Sequence, residues 1–95
     1  MYGTVAKMRI KPGSLASLRE MAGSEDMSRA PGYMSTTIYQ MDSNPNELFM
    51  AVVFESKEAY FKNAESPEQN AMYERFVALL EGPPEWHDGE IIFSS

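Results

Sequence analysis

Cysteine is absent from the 95 residues, which excludes a disulfide framework, a thiolate nucleophile and a zinc-thiolate site. Histidine and tryptophan occur once each, as His87 and Trp86. Basic residues are scarce: eight Lys and Arg against fourteen Asp and Glu give a formal net charge of -6. They are also scattered, which argues against a nucleic-acid partner. No run approaches the ~18 apolar residues of a membrane span. The opening MYGTVAKMRIK lacks the apolar core of a signal peptide, so the expectation is a cytoplasmic protein without a membrane partner. No G-x-G-x-x-G, P-loop, H-E-x-x-H or G-x-S-x-G is found, so nucleotide, zinc and serine-hydrolase chemistry lack their usual machinery. There is no internal repeat, low-complexity segment or linker, and the length suits one domain over residues 1–95.

What is present is a chain with 43% hydrophobic and 12% aromatic residues, organised around Leu48 to Glu55, LFMAVVFE. Strand geometry sends Leu48, Met50, Val52 and Phe54 one way and Phe49, Ala51 and Val53 the other. Both sets are apolar. Helices of a chain this short cover one face of a small antiparallel sheet, and the second face is normally polar. Leaving Phe49 and Val53 in water would forfeit roughly 1.5–3 kcal/mol each. An identical sheet from a second subunit is the simplest cover, which predicts a homodimer through Phe49, Ala51 and Val53.

Along the chain, Met1 to Lys11 alternates as a strand with Tyr2, Thr4, Ala6, Met8 and Ile10 on one side. Pro12-Gly13 ends it. Ser14 offers an N-cap to a helix reaching about Glu25, with Leu15, Leu18 and Met21 or Ala22 along one side. Ala30-Pro31-Gly32 is a turn. Tyr33 to Asp42 is a second strand, and Ser43-Asn44-Pro45-Asn46 connects it to the third. Ser56 caps a short helix through about Ala64. Ser66-Pro67-Glu68-Gln69 restarts it as a capping box with Pro at the first helical position. Met72, Tyr73, Phe76, Val77, Leu79 and Leu80 form its stripe, and Gly82 with Pro83-Pro84 stops it. Glu85 to Phe93 is the last strand. This order predicts an α+β fold: a ferredoxin-like split βαβ with a four-stranded antiparallel sheet and helices on one face.

Ala30-Pro31-Gly32-Tyr33 before a strand, Phe54-Glu55-Ser56-Lys57-Glu58-Ala59-Tyr60 across a strand-to-helix junction, Ser66-Pro67, and Phe76 followed by Leu79 together resemble the antibiotic biosynthesis monooxygenase (ABM) family over nearly the whole chain. The resemblance implies a dimeric α+β barrel, two sheets packed face to face, with a pocket in each subunit between sheet and helices. Some members of that family oxidise aromatic polyketides or quinols with molecular oxygen and no metal or flavin, and others degrade haem. The quinone-forming members place Trp where this chain has Phe54 and Tyr where it has Tyr60. The haem-degrading members use an Asn in the first strand, a Trp before the helix restart and a His after it. Here Lys7, Asn63 and Tyr73 stand near those positions, so a haem reading loses its axial histidine and retains only a tyrosinate at Tyr73.

The candidate residues follow. Tyr60 and Tyr73 each offer a hydrogen bond to a substrate carbonyl or phenol. His87 has a suitable intrinsic pKa for a base, but alternation separates it from Asp88 unless Gly89 introduces an irregularity. Met50, Phe54, Tyr60, Met72, Tyr73, Phe76 and Trp86 are expected to line the pocket. Each also has a plain structural role: Met fills core gaps, and Trp86 packs in a core or interface. Glu55, Glu58, Glu65 and Glu68 suit the positive ends of helices without any acid-base role. No metal ligand set and no cofactor site is expected. Two functions from different classes fit: a cofactor-independent monooxygenase acting on a phenol or quinol, and a non-catalytic dimeric module that binds a small apolar ligand or serves assembly alone.

Overall fold

A computed structural model describes residues 1–24 and 30–95, the side chains of 22–24 excepted. Its elements are β1 (Tyr2–Arg9), α1 (Leu15–Ser24), β2 (Tyr33–Gln40), β3 (Glu47–Phe54), α2 (Lys57–Ala64), α3 (Pro67–Val77) and β4 (Glu85–Glu90). The strands form one sheet in the order β2-β3-β1-β4, every neighbouring pair antiparallel. This is the ferredoxin-like arrangement expected from the order of elements. The expected end of α1 near Glu25 lies outside the described residues.

Pairing in register fixes the two faces. Ile38, Met50, Ala6 and Trp86 lie abreast on the inner face, followed by Thr36, Val52, Thr4 and Asp88. Tyr39, Phe49, Lys7 and Glu85 lie abreast on the outer face, followed by Thr37, Ala51, Val5 and His87. The core forms on the inner face where Leu18 of α1 and Phe76 of α3 close over Ala6, Met8, Ile10, Leu48 and Leu80. From Thr4 onward β1 alternates, with Thr4, Ala6 and Met8 buried and Val5, Lys7 and Arg9 exposed, as a strand with one covered face requires.

Capping sets the helix starts. Ser56 Oγ accepts from Ala59 N at 3.1 Å and Ser66 Oγ accepts from Gln69 N at 3.1 Å, with Pro67 opening α3. The reciprocal half of the expected capping box is not made. Gln69 Oε1 instead accepts from Asn63 Nδ2 at 3.3 Å, while the Ser66 amide donates to the Asn63 carbonyl at 3.0 Å. The kink between the helices thus spends the groups that a box would use.

Several boundaries differ from the expectation, among them the end of β1, which stops at Arg9 short of Lys11. Helix α3 ends at Val77 rather than near Gly82, because Leu80 bridges to Ile10 and Leu79 O and Glu81 N bond to Lys11 N and Arg9 O. Those residues extend the sheet, which satisfies their backbone as a further helical turn would have. Strand β2 stops at Gln40, short of Asp42. Strand β4 ends at Glu90 rather than Phe93, and Ile92 and Phe93 stand 95% and 82% exposed. Their apolar character suggested a strand, but the neighbouring β1 offers no partner beyond Met1, whose carbonyl takes the amide of Ile91.

Candidate functional site

Beyond the core, the inner face of the sheet and the helices diverge around a cavity of about 780 Å³. Its size falls within the usual range of small-molecule sites. Met50 and Phe54 of β3, Tyr60 of α2, Met72, Tyr73 and Phe76 of α3, and Trp86 of β4 all border it. His87 does not. Its strand pairs without a break from Tyr2↔Glu90 to Lys7↔Glu85, so Gly89 introduces no bulge and His87 stays on the outer face. There its Nε2 lies 3.1 Å from Glu85 Oε1. The structure therefore brings Tyr60 and Tyr73 to one space and leaves His87 on the far side of the sheet.

Aromatic rings build one wall. Tyr60 sits edge-on to Tyr2 at 5.3 Å, and tilted against Phe54 at 5.8 Å and Phe61 at 5.1 Å. Tyr33 meets Phe54 edge-on at 5.7 Å. Such offset geometries are favoured by ring quadrupoles. Elsewhere on the rim Tyr73 leans on Trp86 at 6.2 Å. A flat, apolar ligand therefore has ring faces and edges to pack against.

The polar part of the cavity is small and specific. Tyr60 donates its hydroxyl proton to Asp88 Oδ1 at 2.9 Å. Burial, and after it this hydrogen bond, pushes the Tyr60 phenol up to about 12. Tyr60 is consequently a neutral donor at physiological pH, not a base. Thr4 is Asp88's cross-strand partner on β1. Its hydroxyl lies near enough to the Tyr60 oxygen to work against the upward shift, yet no hydrogen bond of acceptable geometry joins them. Thr4 Oγ1 is buried without a partner.

Asp88 and Thr4 did not stand out as site residues in the sequence. Asp88 is adjacent to His87, and its true partner, Tyr60, is 28 residues away. The signal that would have found it is alternation: once Trp86 faces inward, Asp88 must as well. Asn63, in place of the tryptophan of the haem-degrading proteins, borders the cavity. Lys7 does not, and approaches Glu47 at 4.0 Å on the outer face. No three His, Cys, Asp or Glu side chains converge on a common point among the described residues. With the one imidazole on the other face, a histidine-ligated haem does not fit this cavity.

The fold recurs in solved structures. A protein from Chloroflexus aurantiacus, provisionally named an antibiotic biosynthesis monooxygenase, superposes with a TM-score of 0.80 at 23% identity over 99% of this chain and 95% of its own. Provisionally named antibiotic biosynthesis monooxygenases from Bordetella bronchiseptica (TM-score 0.83, 15% identity, 97% of each chain) and Nitrosomonas europaea (TM-score 0.79, 15% identity, 98% of this chain and 100% of the other) are similar as well. At these identities the likeness establishes the fold. No curated protein matches the sequence. The sequence model of the antibiotic biosynthesis monooxygenases, however, matches residues 1–75, from β1 through most of α3, and on that match the chain belongs to the antibiotic biosynthesis monooxygenase family.

Proposed function

We propose that the protein is a cofactor-independent monooxygenase that oxidises a small aromatic phenol or quinol with molecular oxygen. The observation that carries this reading is the apolar, ring-lined cavity between sheet and helices, which side chains leave open and into which a few polar groups converge. Family membership supports it at the level of reaction class.

The chemistry asks little of the protein. An electron-rich phenol that loses its proton supplies the electrons itself. The phenolate passes one electron to oxygen, the two radicals combine as a ring peroxide, and loss of water leaves a carbonyl on the ring. One oxygen atom ends in the product and one in water. The protein's share is to bind the ring, exclude water and stabilise the anion. Tyr60 matches the tyrosine that the family resemblance implies at its position, and Phe54 keeps only the aromatic character of the tryptophan implied at its own. Met50, Met72, Tyr73, Phe76 and Trp86 complete the wall. In this reading one domain spans residues 1–95 and acts in the cytoplasm as a homodimer, closed through the outer face around Phe49, Ala51 and Val53.

Oxygen consumption by metal-free protein against a panel of quinols and anthrones tests the proposal. Saturable uptake is expected, with one atom of labelled oxygen in the product, and Phe54→Ala lowers kcat/KM about tenfold or more through lost positioning. No uptake across the panel would shift the assignment to a module that binds a small ligand or serves assembly alone.

A further inference from the structure

We propose that Thr4, Tyr60 and Asp88 form an oxygen anchor that selects a ring hydroxyl, with Thr4 Oγ1 donating to that oxygen and Asp88 accepting its proton. The inference rests on the reading of the cavity as an aromatic-substrate pocket and names the group by which the substrate is recognised.

The starting observation is an orphan. Thr4 is 5% exposed, its Oγ1 has no partner among the described residues, and it borders the cavity. Buried hydroxyls are normally satisfied, because leaving one unpaired carries its full desolvation penalty. Neighbouring residues do not supply the missing partner. Asp88 lies directly across the strand pair but takes its proton from Tyr60 and makes no bond to Thr4, and the nearby Tyr60 oxygen makes none to Thr4 either. Ile38, Met50 and Val52 offer no polar side-chain atom. An oxygen entering the cavity beside Asp88 would give Thr4 the acceptor that it lacks.

Donor and acceptor counting then selects the entrant. Tyr60 spends its one proton on Asp88, so its oxygen can only accept from a ligand. The Asp88 carboxylate is acceptor-only as well. Thr4 can donate. A group that serves Thr4 and the carboxylate together must accept one hydrogen bond and give another, which a ring hydroxyl does. A ring carbonyl satisfies Thr4 alone and places its lone pairs against the carboxylate. A methyl ether likewise brings no proton. The anchor thus favours the hydroxyl form over its ether and over the quinone, so the oxidised product is released more readily than the substrate.

The same arrangement provides the proton step. The ring O–H bond breaks, a new O–H bond forms on an Asp88 carboxylate oxygen, and the exposed Asp88 returns that proton to water. Thr4 keeps its hydrogen bond to the phenolate. While Asp88 holds the transferred proton, Tyr60 no longer faces a carboxylate and can turn its own proton to the same anion. Charge is conserved at each stage and no oxidant is consumed before oxygen arrives.

Binding of 1-naphthol and of its methyl ether, followed by NMR titration at pH 7, tests the anchor without turnover. The parent protein is expected to prefer 1-naphthol by about tenfold, the usual weight of one satisfied buried hydrogen bond. Thr4→Val should abolish that preference while leaving affinity for the ether unchanged. Thr4→Ser should restore it to within about threefold. Thr4→Val should also melt no lower than the parent, since it removes an unpaired group and not a structural bond. Equal binding of the two compounds by the parent, or an equal loss of both in Thr4→Val, overturns the anchor and leaves the apolar pocket standing. If the parent binds neither, both the anchor and the pocket reading fall.

Discussion

The phenol of Tyr60 differs from one in water by the surroundings of a single oxygen. Its pKa rises from 10.0 to about 12, first through burial and next through the hydrogen bond to Asp88. The consequence for stability has a definite sign. Below about pH 10 both folded and unfolded chains hold the proton. Between about 10 and 12 the unfolded chain releases it while the folded chain retains it, so the unfolded state binds fewer protons and stability falls as pH rises. Tyr60→Phe should flatten this alkaline limb, seen as a smaller drop in Tm than the parent shows across that interval. Equal drops would mean that the proton is not held as described. Tyr60 itself was legible in the sequence, because helical position and family resemblance agree on it. Asp88 was not. Sequence adjacency couples it to His87, whereas strand alternation sends the two to opposite faces and couples Asp88 to a helix 28 residues upstream.

At the scale of elements, punctuation was legible and termination was not. Ser56 and Ser66 mark helix starts through contacts within three residues of themselves. The end of α3 is decided instead by β1, whose Arg9 and Lys11 capture the backbone that would have continued the helix. No local pattern reports a competitor some seventy residues away. Gly32 joins both levels. It has a φ of +82° in the turn before β2, and its carbonyl accepts from the Glu55 amide at 2.8 Å, tying the start of β2 to the exit of β3. A Cβ there would lie 2.6 Å from Ala59 Cβ and 3.0 Å from Glu55 Cγ, whereas one at Gly13 (φ +83°) would meet open space. Both sites suffer the strain of an L-residue at positive φ, about 1–3 kcal/mol. Only Gly32 adds a clash with the first turn of α2. Gly32→Ala is therefore expected to lower Tm by several degrees more than Gly13→Ala, and a comparison of the two melting curves decides it. Equal losses would show that α2 moves aside freely, contrary to its packing against β3.

The whole molecule has two unequal faces, and the outer one is only partly covered in a single chain. Phe49, Ala51 and Val53 are half-buried by their neighbours alone, and Val5 and Tyr39 beside them are 48% and 56% exposed. In the strand order the apolar residues run from Tyr39 of β2 through β3 to Val5 of β1, with Lys7, Glu85 and His87 bordering them on the β4 side. The double-sided apolar pattern of β3 was readable because period-two alternation is local to eight residues. The shape of the cavity was not, since it depends on where α2 and α3 diverge from the sheet. Ala51 is the most direct probe of the patch. It lies between Thr37 and Val5 in register, and its side chain points away from the cavity. Ala51→Arg would place a guanidinium at the centre of a sheet-to-sheet contact, where burying an unpaired charge costs several kcal/mol, yet in a lone subunit the same arginine would reach water. If two copies close on this face, light scattering will find the parent as a dimer near twice 10.7 kDa and Ala51→Arg as a folded monomer with an unchanged circular dichroism spectrum. A parent that sediments as a monomer at high concentration, or a variant that remains a dimer, would remove the outer face as the site of association. Because the cavity lies on the other side of the sheet, a monomeric Ala51→Arg should still bind 1-naphthol within a few-fold of the parent.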